Sequence, residues 1–277
     1  MKPKLQSKVI LLTGASSGMG KSIATRLIKQ GHIVYAVARR VEKMNDLVSL
    51  GGRVVEMDVT NDLQCSRTVT QILDECGRID VLINNAGYSV YGAVEDVSQA
   101  DARRQFEVNL FGLAFLTQKV LPSMREDQSG HIINVTSVGG KIYAPLGAWY
   151  HASKHAVEGW SDCLRVEVEQ FGIKVSIVEP GAITTEFYDV MNEAMLERSK
   201  GGSYESLVAA NISAAKRIHD GSKSTHPEVV AAVVERVIQA RKPRTRYPVG
   251  KLARASLFMR RWLSDSLFDQ MLRITVR

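Results

Sequence analysis

The chain has 277 residues, of which 45% are hydrophobic, 21 are glycine and 7 are proline. This composition excludes fibrous and disordered classes and allows one sizeable hydrophobic core. Cys65, Cys76 and Cys163 form no CxxC pair, so a disulfide framework is not expected. We interpret the three cysteines as free thiols of a protein in a reducing compartment.

The net charge of +7 is concentrated at one end of the chain. Residues 241–277 contain ten lysines and arginines against Asp265 and Asp269, so this segment accounts for the whole excess. A nearly neutral body with one basic tail does not indicate a nucleic-acid-binding face. The apolar run Val9–Leu12 is too short for a signal peptide, and no run approaches the roughly 18 apolar residues of a membrane span. We therefore expect a cytoplasmic protein that does not bind nucleic acid.

Apolar, β-branched runs alternate with helical patterns along the chain. The predicted strands are 9–13, 32–38, 53–57, 79–83, 131–135, 174–178 and 247–249, and the predicted helices are 19–29, 41–50, 63–76, 102–124 and 149–171. The strand segments are apolar throughout, which is typical of strands covered on both faces. The pattern predicts an α/β fold, a Rossmann-like doubly wound parallel sheet with helices on both faces.

No linker or internal repeat divides the chain, so we predict a single domain. Residues 1–250 are expected to form the Rossmann-type catalytic domain, with a substrate loop at about 185–226. Residues 251–277 are predicted to form a basic amphipathic helical extension, broken at Ser264-Asp265-Ser266. Three interpretations of this tail stay open: packing on the body, which we favour, covering the substrate pocket, or peripheral contact with a membrane.

A glycine-rich turn follows the first predicted strand, and it reads TGASSGMG. Glycines let the backbone turn tightly and approach a pyrophosphate, while the next helix supplies N–H donors and a positive dipole. The strand–turn–helix context favours nucleotide binding over an ordinary glycine turn. The predicted pyrophosphate contacts are Gly14, Ser16, Ser17, Gly18, Met19 and Gly20.

The ends of the next three strands predict the rest of the nucleotide site. Arg39 follows the second strand, where a carboxylate would select NAD, so we predict a 2′-phosphate contact and NADP(H) as the cofactor. The alternative is that Arg39 and Arg40 are solvated residues at a helix start. Asp58 and Val59 are expected to bracket the adenine. Small residues after the fourth strand would let the backbone pass close to the cofactor, although a polar turn is an alternative; they are Asn85, Ala86 and Gly87.

Ser137 follows the fifth strand, and Tyr150 and Lys154 lie further along on a predicted helix. Reduction of a carbonyl leaves an oxyanion that needs a proton, but a phenol of pKa near 10 is poorly matched to neutral pH. Tyr150 and Lys154 are four residues apart and share a helix face, so the ammonium is expected to lower the pKa of the phenol. Ser137 would polarise the substrate oxygen. Taken alone, the Tyr–Lys pair also fits an amphipathic helix surface.

These motifs, TGASSGMG, NNAG, the serine of NVTS and YHASK, together resemble the YxxxK branch of the short-chain dehydrogenase/reductase family over about residues 8–190. The resemblance implies an oxidoreductase acting on CH–OH groups. It implies that Asn109 completes a catalytic tetrad by holding a water that relays protons from Lys154, and that Lys154 also hydrogen-bonds the nicotinamide ribose. It further implies nicotinamide contacts from the segment after the sixth strand, at Pro180, Gly181, Ile183 and Thr185.

The segment RYPVGK and the long tail more weakly resemble steroid- and retinol-type members, which implies a lipophilic carbonyl or secondary alcohol as substrate. Four residues that flank the predicted chemistry are expected to form an apolar pocket wall, with a core role as the alternative: Leu146, Trp149, Phe187 and Tyr188. His151 is interpreted as a pocket-rim or surface residue. The histidines show no metal-ligand spacing, so no metal site is expected.

Two other functions compete with this interpretation. A regulator that senses NADP without turnover would be expected to lose the tyrosine or the lysine, and this chain keeps both. A nucleotide-sugar epimerase or dehydratase would use the same tetrad, but its loop would read TGxxGxxG and its C-terminal substrate domain would be larger. The sequence therefore favours an NADP-dependent oxidoreductase with a small-molecule substrate, and we expect a homodimer or homotetramer.

Overall fold

Seven parallel strands form the central sheet of this computed structural model, in the order β3-β2-β1-β4-β5-β6-β7. The structure describes residues 7–185, 187–219 and 225–275. The strands are β1 (Val9–Thr13), β2 (Ile33–Ala38), β3 (Arg53–Glu56), β4 (Val81–Asn84), β5 (Gly130–Val135), β6 (Ile173–Pro180) and β7 (Arg246–Val249). The predicted parallel, doubly wound sheet is confirmed.

Helices connect the strands and cover the sheet. They are α1 (Gly18–Lys29), α2 (Asn45–Ser49), α3 (Asp62–Cys76), α4 (Gln99–Phe106), α5 (Gly112–Glu126), α6 (Ala148–Val168), α7 (Phe187–Ser199), α8 (Glu205–His219), α9 (Pro227–Gln239), α10 (Ala253–Trp262) and α11 (Asp265–Thr275). The helix predicted over 41–50 begins as a 3₁₀ turn at Val41–Met44. The helix predicted over 102–124 is interrupted by a π-helical turn at Glu107–Phe111, which separates α4 from α5.

The sheet has a hydrophobic core on each face, because successive side chains of a strand point to opposite sides. Ile10 and Leu12 of β1 lie in one core, which α1 and α9 cover. Val9 and Leu11 lie in the other core, which α3, α5 and α6 cover. The two cores explain why these strands are apolar without alternation.

The C-terminal helices pack on the body through Phe268, which is 1% exposed. The centroids of the Phe268 and Tyr143 rings are 5.0 Å apart, and the Tyr143 hydroxyl donates to Asp269 Oδ1 at 2.9 Å. Arg260 lies over both rings and pairs with Asp265 at 2.9 Å. The packing that we favoured for the tail is therefore present at this contact, beside the segment that leads into α6.

Replacing the buried ring tests this packing. Phe268→Ala should lower the free energy of unfolding by about 3–5 kcal/mol, because it removes a buried aromatic side chain and leaves a cavity. The neighbouring Leu267 is 52% exposed, so Leu267→Ala is the matched control and should change stability by about 0.5 kcal/mol or less. Urea unfolding followed by circular dichroism measures both values, and equal effects would show that α11 does not pack as described.

Candidate active site

Hydrogen bonds tie the carboxyl end of β1 to the carboxyl end of β4. Thr13 Oγ1 accepts from the backbone N–H groups of Asn85 and Ala86, at 3.0 and 2.9 Å. Asn85 Nδ2 donates to the carbonyl oxygens of Thr13 and Gly14, at 3.0 and 3.2 Å. The predicted Asn85 and Ala86 therefore support the glycine-rich loop from below.

The loop between β1 and α1 has the shape that a phosphate cradle requires. Gly14 and Gly18 adopt positive φ angles of 70° and 52°, which favour glycine. A Cβ at Gly20 would lie 2.1 Å from the Gly14 carbonyl oxygen, so only glycine fits this approach of helix to turn. Ser17 precedes α1, and its side chain forms no capping hydrogen bond within the described chain. The first N–H groups of α1 are therefore available to a phosphate.

Of the other predicted loop residues, two pack inside the protein and one approaches the segment after β6. Ser16 is buried, and the partly buried Met19 packs against the core beneath α1. A Cβ at Gly18 would lie 3.1 Å from Thr185 Cγ2. The structure thus brings the segment after β6, which includes the buried Pro180 and Ile183, next to the glycine-rich loop.

Two arginines follow β2, and they reach different groups. Arg39 Nη1 lies 3.9 Å from Asp58 Oδ2, while Arg40 Nη2 donates to Ser17 Oγ at 3.5 Å. Arg40 is absent from the predicted contacts, although its guanidinium contacts the glycine-rich loop. Both arginines are exposed.

The Asp58 carboxylate is already engaged by the protein. Its Oδ1 accepts from Thr60 N at 3.0 Å and from Thr60 Oγ1 at 2.8 Å. Burial alone would raise the pKa of Asp58, but these hydrogen bonds and the charge of Arg39 hold the pKa below its ordinary value. Val59 is buried, and its carbonyl faces Gly112 of α5, where a Cβ would come within 2.5 Å.

Ser137 and Tyr150 come together above the end of β5. Ser137 Oγ accepts from Gly139 N at 3.0 Å and lies 3.4 Å from the Pro180 carbonyl oxygen. Burial raises the pKa of Tyr150, and a hydrogen bond with Ser137 opposes that rise. The expected net lowering of this pKa is not seen here, because desolvation of the phenol is the largest influence.

Lys154 lies one helical turn after Tyr150 on α6, and its side chain is buried. Its Nζ donates to the Val135 carbonyl oxygen at 3.1 Å, at the end of β5. Burial lowers the pKa of Lys154 to about 8, against the opposing charge of Glu158. The lysine therefore holds a desolvated ammonium that titrates close to the physiological range.

Asn109 lies in the π-helical turn and is 1% exposed. Its Oδ1 accepts from Tyr88 N, and its Nδ2 donates to the Tyr88 carbonyl and to Ser153 Oγ, each at 3.0 Å. A Cβ at Gly87 would lie 3.1 Å from Asn109 Oδ1 and 3.6 Å from Lys154 Nζ. The backbone of Gly87 thus passes close to both predicted tetrad members, and a side chain at this position would crowd Asn109.

Three tyrosines meet on the substrate side of the site. The Tyr91 ring lies 5.6 Å from the Tyr150 ring, centroid to centroid. Burial raises the pKa of Tyr188, and the proximity of Tyr150 raises it further. The predicted Tyr188 is therefore close to the chemistry. Tyr91 was missed, although its position shortly after NNAG at the end of β4 is a signal that could have found it.

Only some of the residues predicted to form the pocket wall lie near these tyrosines. Leu146 packs with Tyr91 in an apolar cluster that also contains Ala93, Met195, Tyr204, Leu207, Val208 and Ile212. Trp149 packs instead with Val90, Val97 and Ala102, so the structure does not bring it together with Leu146. The Phe187 side chain lies outside the part of the chain that the structure describes. The apolar residues of α7 and α8 were missed because their role depends on how these helices fold back.

His151 is not a rim or surface residue, as the sequence had suggested, but a buried one. Its Nδ1 donates to the Gly139 carbonyl oxygen at 2.9 Å, and its ring contacts those of Tyr91 and Tyr150. Burial lowers the pKa of His151. The imidazole therefore supports the turn that carries Ser137 and helps to seat the tyrosines.

A buried charge network lies beneath Ser137, Tyr150 and Lys154. Glu158 accepts from Thr136 Oγ1 at 2.7 Å and pairs with Arg246 at 3.0 Å and Lys141 at 3.2 Å. Glu179 lies 3.8 Å from Arg246. Burial, and then the charge of Glu158, raises the pKa of Glu179 to about 7. This network was not predicted, because its members come from four separate segments.

Comparisons with known proteins agree with this geometry. The family model for short-chain dehydrogenases matches residues 8–196. A 3-ketodihydrosphingosine reductase of Bacteroides thetaiotaomicron is 38% identical over 98% of both chains. A solved short-chain dehydrogenase from Streptomyces avermitilis superimposes with a TM-score of 0.80 at 33% identity, covering 97% of this chain and 96% of that one. A serine dehydrogenase solved with NADP+ gives a TM-score of 0.77 at 28% identity, covering 88% and 95%.

The chain belongs to the short-chain dehydrogenase/reductase family, and it is an oxidoreductase of that family. Within the described residues, no helix is long and apolar enough to cross a bilayer, and no group of three or more acidic, histidine or cysteine side chains could hold a metal ion.

Removing one hydroxyl tests the assignment of the acid. Tyr150→Phe should lower the turnover of a ketone substrate by about 10²–10⁴, because the mutant has no proton to donate. The affinity for NADPH should be almost unchanged, and fluorescence titration provides this control. A mutant that keeps more than roughly a tenth of wild-type turnover would exclude Tyr150 as the acid.

Glu179 predicts a pH-dependent stability. Its pKa is raised in the folded protein from 4.5 to about 7, so its ionisation costs stability as the pH rises through this range. Glu179→Gln should therefore melt at least about 2–4 °C above wild type near pH 8.5, with the difference shrinking towards pH 5. The exposed Glu56 supplies the control Glu56→Gln. A difference between Glu179→Gln and wild type that is independent of pH would contradict the raised pKa.

Proposed function

We propose that this protein is an NADP-dependent reductase or dehydrogenase of a lipophilic carbonyl or secondary alcohol. The observation that carries the proposal is the meeting of Ser137, Tyr150 and the buried Lys154 at the carboxyl end of β5, beside the glycine-rich loop. An acid, a polarising hydroxyl and a desolvated ammonium at this position fit carbonyl reduction. Ligands of doubly wound sheets bind outside these strand ends.

The residues present fit a nicotinamide dinucleotide. The uncapped start of α1 supports a pyrophosphate contact. The nicotinamide ribose is proposed to accept a hydrogen bond from Lys154 Nζ, beside the Gly87 backbone. Pro180, Gly181, Ile183 and Thr185 are proposed to contact the nicotinamide. Asp58 is proposed to lie beside the adenine ribose or base, with Arg39.

When bound, the reduced cofactor supplies the hydride. Ser137 Oγ would donate a hydrogen bond to the substrate oxygen, and Tyr150 would transfer its phenolic proton to that oxygen as negative charge develops there. The Lys154 ammonium would stabilise the resulting phenolate. Asn109 would hold the water through which a proton returns from solvent. In the oxidation of an alcohol, each residue acts in reverse.

The apolar cluster around Leu146 supports a lipophilic substrate. Its buried members from α7 and α8 are Met195, Val208 and Ile212, and the cluster packs against Tyr91, whose ring lies beside that of Tyr150. The relative from Bacteroides is named for a long-chain ketone, which fits such a wall. We propose Leu146 and Tyr188 as substrate contacts. Trp149 and Phe187 remain proposed contacts of lower priority.

Activity with a series of ketones tests the substrate class. NADPH oxidation would be followed with methyl ketones of increasing chain length and with 3-ketodihydrosphingosine. Because each buried methylene contributes about 0.8 kcal/mol, kcat/KM should rise about threefold to fourfold per methylene until the pocket is filled. A kcat/KM that does not rise with chain length would contradict a lipophilic pocket. If no ketone is reduced at all, the reductase proposal itself is contradicted.

The cofactor preference follows from Arg39 after β2. NADPH should bind at least tenfold more tightly than NADH, and Arg39→Ala should weaken NADPH binding by about 1.5–3 kcal/mol while leaving NADH binding nearly unchanged. Arg125, exposed near the end of α5 and five residues before β5 begins, provides the control Arg125→Ala. Isothermal titration measures the constants, and equal affinities for the two cofactors would contradict the preference.

A further inference from the structure

Helix α10 presents a face on which aromatic rings alternate with arginines. Phe258 and Trp262 are 65% and 69% exposed, and their ring centroids lie 6.2 Å apart. Arg254 and Arg261 are exposed on the same face, because positions 254, 258, 261 and 262 follow helical spacing. The Arg261 guanidinium lies 5.9 Å from the centre of the Trp262 ring. Two large rings therefore stand in solvent beside two cations.

Helix α11 repeats this composition. Leu267 and Ile274 are 52% and 69% exposed, and their separation of seven residues places them on one face. Arg273 is exposed beside Ile274. These residues of α10 and α11 are together called the tail surface: Arg254, Phe258, Arg261, Trp262, Leu267, Arg273 and Ile274.

Within the ranges that the structure describes, the arginines of the tail surface form no salt bridge. The acidic residues of α11 have other partners, since Asp265 pairs with Arg260 and Asp269 accepts from Tyr143. Among the described residues, no acidic side chain lies within ion-pair distance of Arg254, Arg261 or Arg273. These three cations are therefore available to an external anion.

The combination of positive charge and exposed apolar side chains indicates what binds the tail surface. Clustered exposed apolar side chains mark a binding surface. A second copy of the chain, docked through the same face, would bring arginines against arginines, which opposes such a dimer. An anionic lipid surface satisfies both features, because the apolar side chains enter the acyl boundary while the arginines bind lipid phosphates.

We propose that the tail surface docks the protein on anionic phospholipid bilayers as a peripheral, interfacial contact. The opposite face of these helices holds Phe268 and Arg260 against Tyr143, seven residues before Tyr150. Leu146 lies in the same segment. Docking would therefore hold the segment from Tyr143 to Leu146 near the bilayer. The proposal concerns binding alone and does not rest on the substrate class.

Co-sedimentation of the full chain with vesicles tests the proposal. The protein should sediment with vesicles of mixed phosphatidylcholine and phosphatidylglycerol, not with phosphatidylcholine alone, and about 1 M salt should release it. The double variants Phe258→Ser/Trp262→Ser and Arg254→Glu/Arg261→Glu should each bind at least about tenfold more weakly. Trp262 emission should shift to shorter wavelength on binding and be quenched by brominated lipid.

Matched substitutions away from the tail surface separate docking from general effects. Val166 is 68% exposed on α6 and Arg125 is exposed at the end of α5, so Val166→Ser and Arg125→Glu should bind as wild type does. Circular dichroism checks that every variant is folded. Failure to bind anionic vesicles, or binding that the tail variants leave unchanged, would overturn the proposal. The proposal would also be overturned if the protein forms an oligomer without lipid and Phe258→Ser/Trp262→Ser dissociates it. The tail surface would then bind a second copy of the chain.

Discussion

The burial of one ammonium group constrains the whole candidate site. Taking the Lys154 side chain out of water opposes its charged form, and the pKa of Lys154 falls to about 8 as a result. The Val135 carbonyl and the nearby Glu158 offset part of this cost. Gly87 has no side chain to fill the space beside Nζ. The lysine is thus held in place, desolvated, one helical turn from the Tyr150 phenol.

Ion pairs of Glu158 link the surroundings of Lys154 to the edge strand β7. Glu158, one turn beyond Lys154 on α6, is held by Arg246 of β7 and by Lys141 near Ser137. Glu179 shares Arg246 at the end of β6, just before the proposed nicotinamide segment. The last strand therefore positions charge beneath the proposed catalytic residues. The raised pKa of Glu179 follows from its burial and from the nearby charge of Glu158.

Much of this arrangement could be predicted, because the carboxyl ends of parallel strands converge. The sequence placed Gly14, Ser137 and Tyr150 at such ends or shortly after them, and the structure brings their segments together. The π-helical turn around Asn109 and the helix α9 were not predicted. The sequence of the turn looks like that of an ordinary helix, and the many β-branched residues of α9 do not distinguish a helix from a strand. Burial of charges depends on neighbours from distant segments. For that reason the sequence suggested a lowered pKa for Tyr150, whereas desolvation in the folded chain raises it.

Titration of the Lys154 ammonium tests the central claim most directly. The chain would be labelled with [ε-¹³C]lysine, and the Lys154 signal would be assigned by its loss in Lys154→Met. Its chemical shift, followed against pH by NMR, should give a pKa of about 8, well below the ordinary 10.5. A value near 10.5 would show a solvated surface lysine and would contradict the buried cation on which the proposed acid–base chemistry depends.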